Sequence, residues 1–330
     1  MQLQNLSLLL NIPLLLIGFF LLNRGASMLI DGGASVARRL QIPESIINFT
    51  VVAFGTSLPK AFTVLLATYN GYADLVIGTI IGSCIFNLLG ILSIIGLGRP
   101  IRSNKYTASI GMGTLFMSVV LLYILSNFNV NPIFPASIFV INKPKAIFLL
   151  IGFVSFMTYG YFNVKKHHTV WFDELAEKQA YYPIWFSVVL LVVGCVGLIA
   201  GGVLIIDNLI DISRKFDMSQ RFLGQFVLSF GGSIVMLYWI LITKADRTKF
   251  ELSNLVGQSI LNILGILGVA AFITPIQFNP KFNIDIFVLL SVVLAITAML
   301  WMGKKLTLNL VKCKLLFGGL IVYIIYLFVY

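Results

Sequence analysis

Apolar residues run through this chain in long blocks with few polar interruptions. Ten blocks stand out, at approximately 5–29, 44–69, 75–97, 107–127, 146–164, 182–206, 220–243, 252–273, 283–303 and 308–330. Each has the roughly 20 residues that cover about 30 Å of hydrocarbon. The pattern predicts an all-α membrane protein of ten transmembrane helices.

The blocks repeat. A shift of about 176 residues lays Gly55-Thr56-Ser57 on Gly231-Gly232-Ser233, Gly25 on Gly201 and Asp31 on Asp207. With one residue of slip, Gly82 to Leu92 lies on Gly257 to Leu267, so Asn87 falls on Asn262, and Pro100-Ile101 falls on Pro275-Ile276. Each copy holds five spans. An odd number of crossings reverses the second copy, which predicts two inverted five-helix repeats, the arrangement of secondary transporters. The predicted divisions are 1–164 for the first repeat, 165–181 for a connecting loop and 182–330 for the second repeat.

Composition agrees. Of 330 residues, 59% are apolar and only 11% charged, far from a soluble average. The net charge of +11 raises the question of nucleic acid. Its placement argues for a membrane instead. With the N-terminus outside, the inward loops gather Arg38, Arg39, Arg99, Arg102, Lys105, Lys165, Lys166, Lys178, Lys244, Arg247, Lys249, Lys304 and Lys305. The outward loops hold Lys143, Lys145, Arg214, Lys215, Arg221 and Lys281. Positive charge on the cytoplasmic side puts both termini outside the cytoplasm and makes the 165–181 loop cytoplasmic. The expected partners are the lipid bilayer and small inorganic ions, with no nucleic acid. Short loops suggest the plasma or inner membrane of a prokaryote. Cys84, Cys195 and Cys313 are scattered and form no metal or disulfide pattern.

Polar residues inside the spans are the candidate chemistry. Pro59 removes a backbone donor and should break span 2 beside Thr56 and Ser57. Carbonyls freed in hydrocarbon need a partner, a cavity or an ion. Span 7 has Val235 in the place of Pro59, so a softer break is expected there. Asn87 and Asn262 recur at equivalent sites. Amides and small residues also serve plain helix packing in membranes, but their recurrence opposite broken helices points to a shared polar cavity.

Gly55-Thr56-Ser57-Leu58-Pro59, Gly78-Thr79-Ile80-Ile81-Gly82-Ser83-Cys84-Ile85-Phe86-Asn87 and their weaker second copies resemble the calcium/cation antiporter superfamily, which includes sodium/calcium and potassium-dependent sodium/calcium exchangers. The resemblance covers nearly the whole chain. It implies exchange of sodium, protons or potassium against calcium through oxygen ligands at the midplane. Carried onto this sequence, the ion site comprises Thr56, Ser57, Lys60, Thr79, Ser83, Asn87, Gly232, Ser233, Met236, Asn254, Gln258 and Asn262. The family pattern has glutamate where Lys60 and Met236 stand. Thr79 takes the place of a frequent asparagine, Gln258 that of a serine, and Asn262 that of a residue that can be acidic.

These departures decide the ion. Calcium takes six to eight oxygens, carboxylates usually among them. The acidic residues all fall in loops or near span ends. A lysine charge ~5 Å from a dication opposes it by ~6–7 kcal/mol at an effective dielectric of ~20. The calcium site is therefore judged lost, and Na+ or H+ is the expected coupling ion, with no organic cofactor. Lys60 has three readings: a tethered cation in an ion's seat, a group that loses its proton on desolvation, or a side chain that snorkels to a helix end. The chain carries no hydrolase, zinc or phosphate-loop motif, so an enzyme is not expected. The expected function is a cation antiporter with altered ion specificity. The alternative is a transport-inactive relative that acts as a scaffold or regulator.

Overall fold

The computed structural model describes residues 2–41, 55, 57–98, 100–103, 105–128, 139–167, 182–233, 248–302 and 306–329. Of the expected site residues, Thr56 and Met236 lie outside this set, as does most of the connecting loop. Among the described residues, seven helices are long and apolar enough to cross a membrane. They are α1 (Gln2–Arg39), α3 (Ala73–Gly98), α4 (Thr107–Asn127), α6 (Ile184–Phe216), α8 (248–273), α9 (Phe282–Trp301) and α10 (Leu310–Val329). Three further helices are α2 (Leu58–Tyr69), α5 (Lys143–His167) and α7 (220–233). The fold is mostly helical, as the apolar blocks require.

The chain divides into two compact bodies. The first comprises Met1–Leu66 and Met157–Met218. Its centre is the long contact of α1 with α6. Glycines make that contact close, and they do so reciprocally. A Cβ on Gly25 would stand 2.7 Å from the Gly194 carbonyl oxygen, and one on Gly194 would stand 2.8 Å from that of Gly25. Gly18 and Gly201 face each other in the same way, at 3.1 and 2.7 Å. Gly18 and Gly25 are the repeat equivalents of Gly194 and Gly201. In lipid, helices associate through packing of this kind and not through hydrophobic exclusion. Gly25→Val is therefore expected to lower the unfolding stability of the detergent-purified protein by about 1–3 kcal/mol. Gly113→Ala in α4, where an added Cβ meets nothing within 4 Å, serves as the comparison and should leave the melting temperature unchanged. Equal melting temperatures for the two variants would contradict the close packing.

Both helices run further than the apolar blocks suggested. The stretches between those blocks, 30–41 and 207–217, are mostly helical, and each helix ends at a left-handed residue, Gln41 (φ 56) and Asp217 (φ 52). These two are again repeat equivalents. Arg214 and Lys215 therefore lie in the last turn of α6, where positive charge suits the helix dipole. Arg38 and Arg39 do the same in α1. At the start of α6, Ser35 and Arg39 donate to the Tyr182 carbonyl at 3.1 and 3.0 Å.

The second body comprises Ala67–Phe156 and Ser219–Tyr330. Its core is α3, where Leu75, Ile77, Ile80, Ile81, Ile85, Leu88, Ile91 and Leu92 are fully enclosed. Two short antiparallel ladders cross-link the sequence halves. Strand β1 (Ile101–Arg102) pairs with β4 (Thr307–Leu308), and β2 (Val140–Ile141) pairs with β3 (Ile276–Gln277). Each ladder joins one strand from each half. The residues after Pro100 and Pro275, equivalent in sequence, occupy opposite ladders.

Candidate functional site

The two motif asparagines sit on π turns. Residues Phe86–Ile91 in α3 and Leu261–Ile266 in α8 each form a wider helical turn, at equivalent places in the repeats. The second residue of each turn is the asparagine. Four residues after the start of each turn comes a glycine, Gly90 or Gly265, over which the Phe86 ring or the Leu261 side chain lies. A Cβ there would come within 2.9 and 2.8 Å of those groups. Glycine thus makes room for the side chain one turn back. π turns are rare and gather at functional sites, because the extra residue re-aims its neighbours. The apolar pattern placed helix breaks in spans 2 and 7 and gave no sign of these turns. The duplicated Asn-x-x-Gly was the available signal.

Four of the expected residues meet in the second body. Asn262 donates from Nδ2 to Ser83 Oγ at 3.1 Å, and Ser233 donates from Oγ to Asn87 Oδ1 at 3.2 Å. Each copy therefore supplies an amide to a serine of the other. Ser83 also donates to the Ile80 carbonyl at 3.0 Å. Thr79 is buried too, but its hydroxyl is turned back to the Leu75 carbonyl at 2.7 Å. Its own carbonyl accepts from Ser229 Oγ at 3.2 Å. Ser83, Asn87 and Asn262 are wholly buried, and Ser233 nearly so. After these bonds, Asn87 Nδ2 and Asn262 Oδ1 have no hydrogen-bonding partner among the described residues. Buried amide atoms are rarely left so, and in a native protein they mark water, an ion or strain.

The remaining expected residues are placed as follows. Asn254 and Gln258 are half-buried on α8, and Gly232 is half-buried in α7. Ser259, beside Gln258 and absent from the expected set, is fully buried, and its carbonyl receives the Cys84 thiol at 3.6 Å. Cys84 thus packs as a small buried residue. Ser229, which bonds the Thr79 carbonyl, is another buried hydroxyl outside the expected set.

Ser57 and Lys60 belong to the first body. Ser57 is buried and Lys60 half-buried, at the N-terminal turn of α2. Pro59 lies in that first turn, where a missing N–H costs nothing. Its carbonyl accepts from Thr63 Oγ1 at 2.8 Å.

One charged group departs from expectation. Arg221 was assigned to an outward loop, and Asp285 to a span end. Arg221 is instead a buried residue of α7; Asp285 does lie at a span end, in the first turn of α9, but is wholly buried there. They pair through Arg221 Nη2 and Asp285 Oδ2 at 2.9 Å, with Nε on the same oxygen at 3.1 Å. Arg221 also donates to Tyr326 at 2.6 Å, and Tyr323 donates to Asp285 Oδ1 at 3.4 Å. The guanidinium lies 5.6 Å from the Phe282 and Tyr326 ring centres. Separation of 64 residues hid this pair from the sequence.

Duplicated apolar spans, close glycine contacts between repeat equivalents and twinned asparagines on π turns describe an integral-membrane transporter. The family described as sodium/calcium exchanger protein matches residues 10–164 and 186–329, and the chain belongs to that family. The chain is 29% identical over 307 residues to a putative antiporter, CaxA, of Alkalimonas amylolytica, covering 91% of this chain and 93% of the relative. It is 21% identical over 320 residues to the sodium/calcium exchanger MaX1 of Methanosarcina acetivorans, covering 87% and 90%. Among solved structures, the sodium-calcium exchanger NCX_Mj superposes with a TM-score of 0.59 at 23% identity, over 96% of this chain and 98% of that one, a likeness of fold.

Proposed function

We propose that this protein is a cation antiporter of ten spans in two inverted five-helix halves, with both termini outside the cytoplasm, and that its ion specificity has shifted away from calcium. The antiporter and exchanger relatives support the mode of transport. The observation that carries the ion reading is the Asn87–Asn262–Ser83–Ser233 cluster, whose ligating groups are all neutral. A half-turn of the Asn87 amide would let Nδ2 donate to Ser233 and bare its oxygen, as Asn262 Oδ1 is already bare. Two amide oxygens with nearby hydroxyls suit a monovalent cation, whose dehydration needs no carboxylate. A dication at the midplane needs anionic ligands, and both signature glutamates are replaced, by Lys60 and Met236.

The test is flux into liposomes holding the purified protein. A sodium or proton gradient is expected to drive exchange above empty vesicles, while radioactive calcium uptake stays at the level of empty vesicles. Sodium-driven calcium uptake would overturn the altered specificity. Silence toward sodium, potassium, protons and calcium would favour the transport-inactive scaffold or regulator.

A further inference from the structure

The two ends of the second body differ in how they hold positive charge. Spans α9 and α10 run between these ends. At one end α9 begins, and Asp285 holds the buried Arg221. Lys145, at the start of α5, is buried there too and donates to the Val140 carbonyl at 2.7 Å. Those two cations are enclosed by the protein.

At the other end α9 finishes at Trp301 and α10 begins at Leu310, with β4 between them. Here the cations face outward. Arg102, Lys105 and Lys314 are exposed, and among the described residues no carboxylate pairs with them. The chain has no acidic residue between Asp74 and Asp173, and none after Asp285. The Thr107 and Ser253 hydroxyls, 2.6 Å apart, bring the start of α8 beside α4, and Glu251 is the acidic residue on that stretch.

This corner is fixed by hydrogen bonds. Arg102 stands opposite Thr307 in the β1–β4 ladder, and the Ser103 N–H donates to the Leu306 carbonyl at 2.9 Å. Lys312 Nζ donates to the Thr307 carbonyl at 3.2 Å and also to the Met299 carbonyl, which ties the first turn of α10 to the last turn of α9. The Trp301 indole N–H donates to the Ala108 carbonyl at 3.4 Å, so the ring is anchored at the start of α4. Lys312 and Lys314 stand where a helix favours negative charge, in its opening turns.

The surface beside these cations is apolar. Val311 is 64% exposed, Leu315 62% and Trp301 58%. Lys314 is thus flanked by side chains that acyl chains would cover, at the level where two spans end. A soluble anion would meet the cations and leave the apolar face bare. A phospholipid meets both. Tryptophan suits that boundary, and each basic residue there favours anionic headgroups by about fivefold.

We propose that the β1–β4 corner is a binding seat for an anionic phospholipid. Its headgroup phosphate meets Arg102, Lys105 and Lys314, and its acyl chains run along Val311 and Leu315. Arg102 supplies the planar fork that suits a phosphate, and the lysines supply point charges. Lys312 is a positioning residue, since its ammonium is already held by two carbonyls. The seat is independent of which ion the protein carries.

Trp301 is a reporter already in place. Trp171, Trp185 and Trp239 are replaced by phenylalanine, leaving a single tryptophan. The full chain is reconstituted in mixed vesicles of phosphatidylcholine and phosphatidylglycerol. One lipid or the other is brominated high on its acyl chains, where it quenches a tryptophan that it touches. The phosphatidylglycerol share at Trp301 is expected to exceed its share of the bilayer by at least about fivefold. Arg102→Gln, Lys105→Gln and Lys314→Gln together should lower that excess by at least about threefold. Lys143→Gln with Lys281→Gln, two exposed cations at the opposite end, should leave it unchanged. The melting temperature of the chain with all its tryptophans gives a second reading that does not depend on the single-tryptophan protein folding. Nanodiscs of phosphatidylglycerol should raise it relative to phosphatidylcholine, and the triple variant should remove the rise. Equal quenching by the two brominated lipids would overturn the seat. So would an excess that the distant pair of substitutions lowers as much as the three at the corner, which would make it an effect of net charge alone. Loss of the excess on adding soluble glycerol phosphate would assign the cations to a free anion and overturn the lipid as occupant.

Discussion

Replacing Lys60 and Met236 together with glutamate is expected to produce calcium binding that calorimetry detects, where the unaltered protein gives no heat. The two positions close the same signature in the two repeats, and one substitution without the other restores half of the pattern. The electrostatic change is large. A lysine charge ~5 Å from a dication costs ~6–7 kcal/mol at an effective dielectric near 20, and a carboxylate at the same place reverses the sign. Lys60→Glu alone should give weaker binding than the pair of substitutions, and Met236→Glu alone should give none while Lys60 remains. A folded double variant with no calcium heat would show that these positions do not serve one ion.

Removing Arg221 is expected to have the largest effect on stability. Arg221→Ala leaves Asp285 wholly buried with the Tyr323 hydroxyl and without its cation. Breaking one side of a buried pair costs about 3–5 kcal/mol, because the surviving charge stays out of water. That is a large part of the 5–15 kcal/mol typical of whole domains. Arg221→Gln with Asp285→Asn should cost much less, since no lone charge remains and the amides are close in shape to the groups they replace. Thermal unfolding in detergent separates the two cases. Equal losses would mean that the guanidinium acts through its packing between the Phe282 and Tyr326 rings and not through its charge.

Much of the candidate site was readable in the chain. Asn87 and Asn262 were found because they recur in register, and Ser83 and Ser233 because they flank glycines in matching motifs. The structure joins these four by hydrogen bonds across the halves. Other members were not readable. Ser229 and Gln225 lie in an apolar run with no duplicate, opposite Ala53 and Phe49 in the repeat alignment. Their burial depends on the α3 glycines that pack against them, and no local pattern records that neighbour. Arg221 and Asp285 looked like ordinary span-end charges, because burial of a charge is decided by what covers it.

The sequence by itself determined which segments are long and apolar enough to enter a membrane, that the chain repeats itself, and which polar residues are twinned. Each follows from local chemistry or self-similarity: a run of apolar side chains is driven from water wherever it is, and equivalent residues stay equivalent. The tertiary structure alone decided the π turns, the exchange of strands between halves, and the meeting of Arg221 with Asp285. Those depend on contacts between residues far apart in the chain, where a glycine's missing side chain matters only for the helix pressed against it.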